Sequence, residues 1–121
     1  PRCIKTKFAE KYLSKCNFHE RNLIGADITT VNLKEADLIR ASLENTTVRR
    51  ANLSKANLPR ARCVKASMTF ANLNSCDLTR ANLAYPSLHD ADLNKANLTS
   101  AITREANFQS AKFIGTIGHK P

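Results

Sequence analysis

Tryptophan is absent from the 121-residue chain, methionine occurs once, and glycine only at Gly25, Gly115 and Gly118. Glycines so few and so scattered cannot form a Gly-rich loop around a phosphate. The three histidines, His19, His89 and His119, make no HxxxH pair and no Ser-His-Asp set, so metallohydrolase and serine-nucleophile chemistry lack their residues. Four cysteines, at 3, 16, 63 and 76, include no CxxC pair and no metal-ligand spacing, which argues against a metal site and against a disulfide mini-protein. No apolar run approaches the roughly 20 residues of a membrane helix, and no secretory apolar segment opens the chain. No enzyme, cofactor, metal or membrane span is therefore expected. The chain opens on Pro1 and not on Met, so a processed chain or an excised domain is expected, from which a targeting segment could have been lost.

Acidic residues are also scarce. There are 19 Lys+Arg against 10 Asp+Glu, a net charge of +9. Such a balance favours acidic partners: nucleic acid, anionic lipid or an acidic protein.

What the chain does have is a period. "ANLSKANLPRA" at 51–61 spells nearly the same five letters twice and starts a third time. With Ala51, Ala56 and Ala61 opening successive units, the frame runs from Cys16 to Gly115 without an insertion. Position one is Ala in fourteen of these twenty units, position two is Asn or Asp in thirteen, and position three is large and apolar in eighteen. Chance does not hold phase over that distance.

Neither regular element has this period. Five residues advance a helix by about 500°, which smears the leucines around its surface. On a flat strand an odd spacing sends alternate leucines to opposite faces. All the leucines point one way only if the chain turns after each unit. A right-angle turn every five residues closes a square after twenty, and the next square must stack on it. Position three then fills the centre, position one has room for a methyl, and Asn or Asp at position two suits the turn by bonding nearby backbone.

The units "ADLIR", "ANLSK", "ANLPR", "CDLTR", "ANLAY", "ADLNK" and "ANLTS" resemble the pentapeptide-repeat family, whose motif is A(D/N)Lxx. The resemblance covers residues 16–115. It implies an all-β fold, a right-handed quadrilateral parallel β-helix (pentapeptide-repeat solenoid) of about five coils. Residues 1–15 are expected as an N-terminal cap or incomplete first coil, a short helix over "TKFAEKYLSK" at 6–15 being the alternative to the coil. Residues 116–121 are expected as a tail.

Residues twenty apart should stack at about 4.8 Å. Four central columns follow: Leu13, Leu33, Leu53, Leu73, Leu93, Phe113; then Phe18, Leu38, Leu58, Leu78, Leu98; then Leu23, Leu43, Cys63, Leu83, Thr103; and Phe8, Ile28, Val48, Met68, Leu88, Phe108. Phenylalanine collects in the end coils, where a ring could plug the tube. Lys11 and Arg21 fall on position one, where burying a charge is costly. Cys16, Cys63 and Cys76 read as small core residues of a reduced, cytoplasmic chain. Cys3 and Cys63, and likewise Cys16 and Cys76, share a column three coils apart, about 14 Å, too far for a disulfide.

The surface carries two candidate sites. No acid stands between Glu44 and Asp77, yet Arg49, Arg50, Lys55, Arg60, Arg62 and Lys65 do, all in outward positions. Arg40, Arg60 and Arg80 form a column at position five of one face. These eight residues are the candidate anion- or partner-binding set. Val64, Phe70 and Tyr85 are the candidate apolar docking residues. The expected role is a non-enzymatic scaffold or protein-interaction module, with an acidic protein or other macromolecule as its partner. A nucleic-acid binder with a basic face is the alternative, although aromatic residues for stacking bases are few. The resemblance also implies two further readings: a homodimer through a coil end, and DNA gyrase protection. Gyrase protectors are acidic, DNA-shaped rods, and +9 has the opposite sign.

Overall fold

The computed structural model describes residues 12–118, and among these there is no helix. Each unit carries one isolated parallel bridge at position two, joining residues twenty apart, from Tyr12–Asn32 through Asn52–Asn72 to Asn97–Ile117. Four units of five therefore make one turn of a β-helix. Four faces result. Face I holds the units opening at Val31, Ala51, Ala71, Ala91 and Ala111, and face II those at Cys16, Ala36, Ala56, Cys76 and Ala96. Face III holds those at Arg21, Ala41, Ala61, Ala81 and Ala101, and face IV those at Ala26, Thr46, Ala66, Pro86 and Ala106.

The motif is explained by where five backbone N–H groups go, since each must find a partner. In the unit 71–75, Ala71 N–H donates to Met68 O (3.0 Å) and closes the corner. Asn72 N–H donates back to Ala51 O (2.9 Å), while Leu73 and Ser75 N–H donate forward to Asp92 O and Asn94 O (2.8 and 2.9 Å). Only the position-four N–H has no carbonyl. Asn74 N–H donates to the Asn72 side-chain Oδ1 at 3.0 Å. The same bond recurs for twelve of the thirteen Asn or Asp residues at position two. The exception is Asn57, because position four of its unit is Pro59, which has no N–H to give.

Corners are made at position five. All nineteen non-glycine residues there, from Lys15 to Ser110, have φ between 54° and 63°, and Gly25 and Gly115 have 71° and 72°. Together with the bond from position one to the preceding position three, this is a β-turn with left-handed backbone at its third residue. For a residue with a Cβ that conformation is disfavoured, and the ladder on both sides holds it in place.

The core follows the four expected columns. Every position-three side chain from Leu13 to Leu98 is no more than 3% exposed, with Ala, Cys, Val or Thr buried at position one over most of the length. The two threonines at position one are satisfied from below: Thr46 Oγ1 donates to Leu23 O and Thr116 Oγ1 to Leu93 O, both at 2.7 Å. Phe18 is fully buried, while Phe108 and Phe113 pack partly buried on the last coil, edge to face at 5.2 Å.

Several expectations change at the ends. Tyr12–Lys15 are already in the coil register, not in a helix. The rest of the expected cap, including Phe8 and Lys11, lies outside the described residues, as does His119. Arg21 sits half-buried at position one with its guanidinium 5.6 Å from the Phe18 ring. The repeat also continues past the expected boundary at 115, since Ile117 bridges Asn97 and accepts Leu98 N–H at 2.7 Å. Cys16 is disulfide-bonded, to a partner outside the described residues. The reading of this residue as a reduced core thiol is thereby corrected: column geometry excluded only bonds three coils long. Cys63 and Cys76 are free and buried. Burial pushes the Cys63 thiol up to about 12, with Glu44 adding to it, and raises Cys76 in the same way.

Two outcomes follow. Asn82→Ala strips the acceptor from Ala84 N–H, whose residue is only 5% exposed, and should destabilise by about 1–2 kcal/mol. Asn57→Ala has no such bond to lose and should shift the urea midpoint by less than half as much; equal losses would refute the role given to position two. The thiols set a pH dependence. Folded Cys63 and Cys76 hold their protons more tightly than the unfolded chain, so their contribution is whole below about pH 9 and is lost as pH rises toward 12. A Cys63→Ala/Cys76→Ala double variant, compared by urea midpoint across pH 8–11, should lose less stability with alkali than the parent chain does.

Candidate functional site

The corner between faces II and III collects the densest charge. Arg40, Arg60 and Arg80 occupy position five on three consecutive coils, so their left-handed turns (φ 57°, 59° and 59°) present them at one edge. All three are exposed. Stacked at the coil rise of about 4.8 Å, neighbouring unit charges repel by about 0.9 kcal/mol in water. Among the described residues no carboxylate lies within ion-pair distance of these three arginines.

Arg62 joins them from position two of face III. Its Nη2 donates to Ser42 Oγ at 2.7 Å, and its Nε lies 3.3 Å from Glu44 Oε1. Ser42 is the residue directly beneath it in the column, and Glu44 stands two residues along the same strand. Arg62 is thus tethered on one side, whereas none of the described residues makes such a contact with the side chains of its three neighbours. Arg40, Arg60, Arg62 and Arg80 together line an open depression of about 350 Å³. The column is bounded: the next residues at position five are Glu20 below and Ser100 above.

The other candidates do not join this site. Arg49 lies on face IV, and Arg50, at the corner of faces IV and I, stacks on Phe70 with 4.7 Å from guanidinium to ring. Lys55 stands at the corner of faces I and II and Lys65 at the corner of III and IV. Of the eight predicted basic residues the fold brings four together. The apolar trio does not form one patch either. Val64, half-buried on face III, is one coil from Tyr85, whose ring has Arg104 5.7 Å away. Phe70 is on a different corner, between Arg50 and the edge of His89 (6.1 Å, 79°). Sequence reasoning missed Ser42 and Glu44 as the residues that orient Arg62. The twenty-residue offset between Ser42 and Arg62 was the signal available.

Both described histidines lie beside acids. His19 lies 3.2 Å from Glu20 and 4.0 Å from Asp37, and His89 lies 2.8 Å from Asp90. Asp27 is held below the usual carboxylate range by the Thr29 hydroxyl and N–H. Among the described residues no three His, Cys, Asp or Glu gather as a metal site, and no helix is long and apolar enough to cross a membrane. The chemistry on offer at the II/III corner is planar, multidentate donation to an anion.

Comparison with known proteins bears on the whole coil. A pentapeptide repeat protein from the Arabidopsis thaliana thylakoid lumen has a similar structure, with TM-score 0.73 and 27% identity over 76% of this chain and 64% of that one. HetL, a pentapeptide repeat protein involved in heterocyst differentiation regulation from the cyanobacterium Nostoc sp. strain PCC 7120, gives TM-score 0.60 and 34% identity over 89% of this chain and 54% of that one. A pentapeptide repeat protein from the cyanobacterium Cyanothece 51142 shares the fold at TM-score 0.57 and 23% identity, over 91% of this chain and 86% of that one. The chain thus spans less than two thirds of the first two relatives. No protein in a search of curated sequences matches it. The family model for pentapeptide repeats (8 copies) matches residues 12–50, 49–83, 61–99 and 87–117, and with the twenty-residue ladder and the bond from position two to position four, this places the chain in the pentapeptide-repeat family.

Proposed function

We propose that the chain is a non-enzymatic docking module that engages an acidic protein surface through the corner of faces II and III. Pentapeptide-repeat proteins are in general structural repeat modules, and the fold alone assigns no activity. One observation carries the reading: four arginines converge at one edge, and three of them have no acid of their own among the described residues. Stacked like charges raise the free energy of the rod, and an acidic partner relieves that cost. The backbone lattice supports the same reading, because it holds the guanidinium stems in place before binding and so lowers the entropy lost on association.

The nucleic-acid alternative is less well supported. Three arginines on consecutive coils span about 10 Å, and the track stops at Glu20, whereas a phosphate backbone continues. The depression's arginine lining offers no ring for bases to stack on. Gyrase protection by imitating DNA has the wrong sign of charge. We assign the coil the right-handed winding and five-coil length implied by the family motif. For its compartment, the disulfide at Cys16 favours an oxidising one over the cytoplasm, and the Arabidopsis relative is itself a thylakoid-lumen protein.

Binding of a poly-glutamate chain, followed by fluorescence anisotropy, tests the docking reading. Binding should be measurable at low salt and weaken steeply with added salt. It should fall at least about tenfold in Arg40→Glu/Arg60→Glu/Arg80→Glu, and the charge-matched Arg49→Glu/Lys55→Glu/Lys65→Glu should change it far less. Equal effects of both variants would mean that net charge alone is at work. The compartment is tested by alkylating acid-quenched cells with and without reductant: fewer cysteines should be labelled before reduction, and full labelling without reductant would return the chain to the cytoplasm.

A further inference from the structure

The docking reading leaves open which acidic group the corner is shaped for. A carboxylate brings one charge and two acceptor oxygens and satisfies one guanidinium fork. The depression has four guanidiniums and one carboxylate within reach, Glu44, and Glu44 is committed to Arg62. Three positive charges are left uncompensated in a patch two coil rises long. A row of Asp or Glu side chains could match them only by running along the edge, where it meets Glu20 at one end and only an uncharged serine, Ser100, at the other. The patch therefore calls for a compact ligand with high charge density.

A phosphate monoester meets that description. It carries about −1.5 to −2 charges at neutral pH and three strong acceptor oxygens. With arginines stacked about 4.8 Å apart, one tetrahedral group at the edge is flanked by forks from two adjacent coils at once. Arg62 adds a donor from the side. Its Nε and Nη2 are already turned toward Glu44 and Ser42, so its orientation is fixed before any ligand arrives. The edge is open, which suits a group presented on another macromolecule.

We propose that the depression lined by Arg40, Arg60, Arg62 and Arg80 is a receptor for a phosphorylated serine, threonine or tyrosine side chain on a partner protein. This rests on the docking reading above and names the group that the partner presents. Binding is then regulated by the partner's phosphorylation state. It also weakens as the pH falls through about 6, where the monoester loses its second charge.

The test uses the full chain and three short peptides of one sequence, carrying serine, aspartate or phosphoserine at the central position, with affinity read by calorimetry. The phosphoserine peptide should bind at least about tenfold more tightly than the aspartate peptide. Arg60→Lys, which keeps the charge and loses the fork, should remove much of that difference, and Arg62→Ala should do the same. Arg49→Ala, the same loss of charge on face IV, should not. These side chains are exposed, and unchanged circular dichroism and melting temperature would confirm that the variants fold. Equal binding of the aspartate and phosphoserine peptides overturns the phosphate inference and leaves the docking reading standing. Absence of binding by both the peptides and poly-glutamate overturns both. Competition by inorganic phosphate at the same concentration as the peptide makes a free phosphate the ligand and overturns the assignment to a partner protein. Tighter binding of random duplex DNA than of the phosphopeptide overturns it in favour of nucleic acid.

Discussion

A side only five residues long leaves one backbone N–H per unit that no carbonyl of a neighbouring coil reaches. The side chain two residues earlier takes it. That bond, from the position-four N–H to Oδ1 of Asn or Asp, closes the hydrogen-bond inventory of the repeat. The other four donors go to the ladder and to the corner, as in the unit 71–75. The motif letters then have separate causes: a methyl at the corner, an amide or carboxylate acceptor, a leucine for the axis, and two residues left to solvent. An apolar residue at position two forfeits the bond, and Ile102 does so in the last coil, where its side chain is also half exposed.

Because backbone and axis are satisfied by three letters in five, the outward positions can vary without disturbing the coil. Position five shows this most fully. It holds Lys, Arg, Glu, Asn, Thr, Ser, Asp, Phe and Tyr, all with nearly the same left-handed φ. The ladder on either side fixes the corner whatever the side chain is, and the cost of the conformation is spread along the rod. Stacking then turns any recurrence at a twenty-residue interval into a column on the surface. Arg40, Arg60 and Arg80 are one such recurrence. Glu20 and Ser100 end it, which makes the column a site of limited length.

The middle and the ends of the rod are under different constraints. Leu33 through Leu98 are essentially inaccessible, whereas Ala101, Ala106, Phe108, Ala111 and Phe113 are only partly buried. In a solenoid each coil is stabilised chiefly by its neighbours, so the last coil has the least support. Its departures from the motif are Ile102 and Lys112 at position two and Thr103 at position three. Even so the bridge register survives to Ile117, because the ladder asks only for backbone groups at the right spacing.

The register, the four central columns and the acceptor role of position two could all be read from the letters, since each depends on residue type at a fixed interval. Arg40, Arg60 and Arg80 could be placed on one edge for the same reason. The left-handed backbone at position five could not: most of the residues there are not those that prefer it, and the strain is imposed by the neighbouring coils. The separation of Phe70 from Val64 and Tyr85 follows from the register too, but the stacking of Arg50 on Phe70 does not, because it depends on how each side chain leaves its corner. The tether of Arg62 to Ser42 and Glu44 and the disulfide at Cys16 are likewise contacts between particular atoms, which spacing permits without selecting. Sequence by itself determined the lattice, because the lattice is periodic. Tertiary structure decided which charges meet and which are neutralised, because that turns on side-chain direction at each corner.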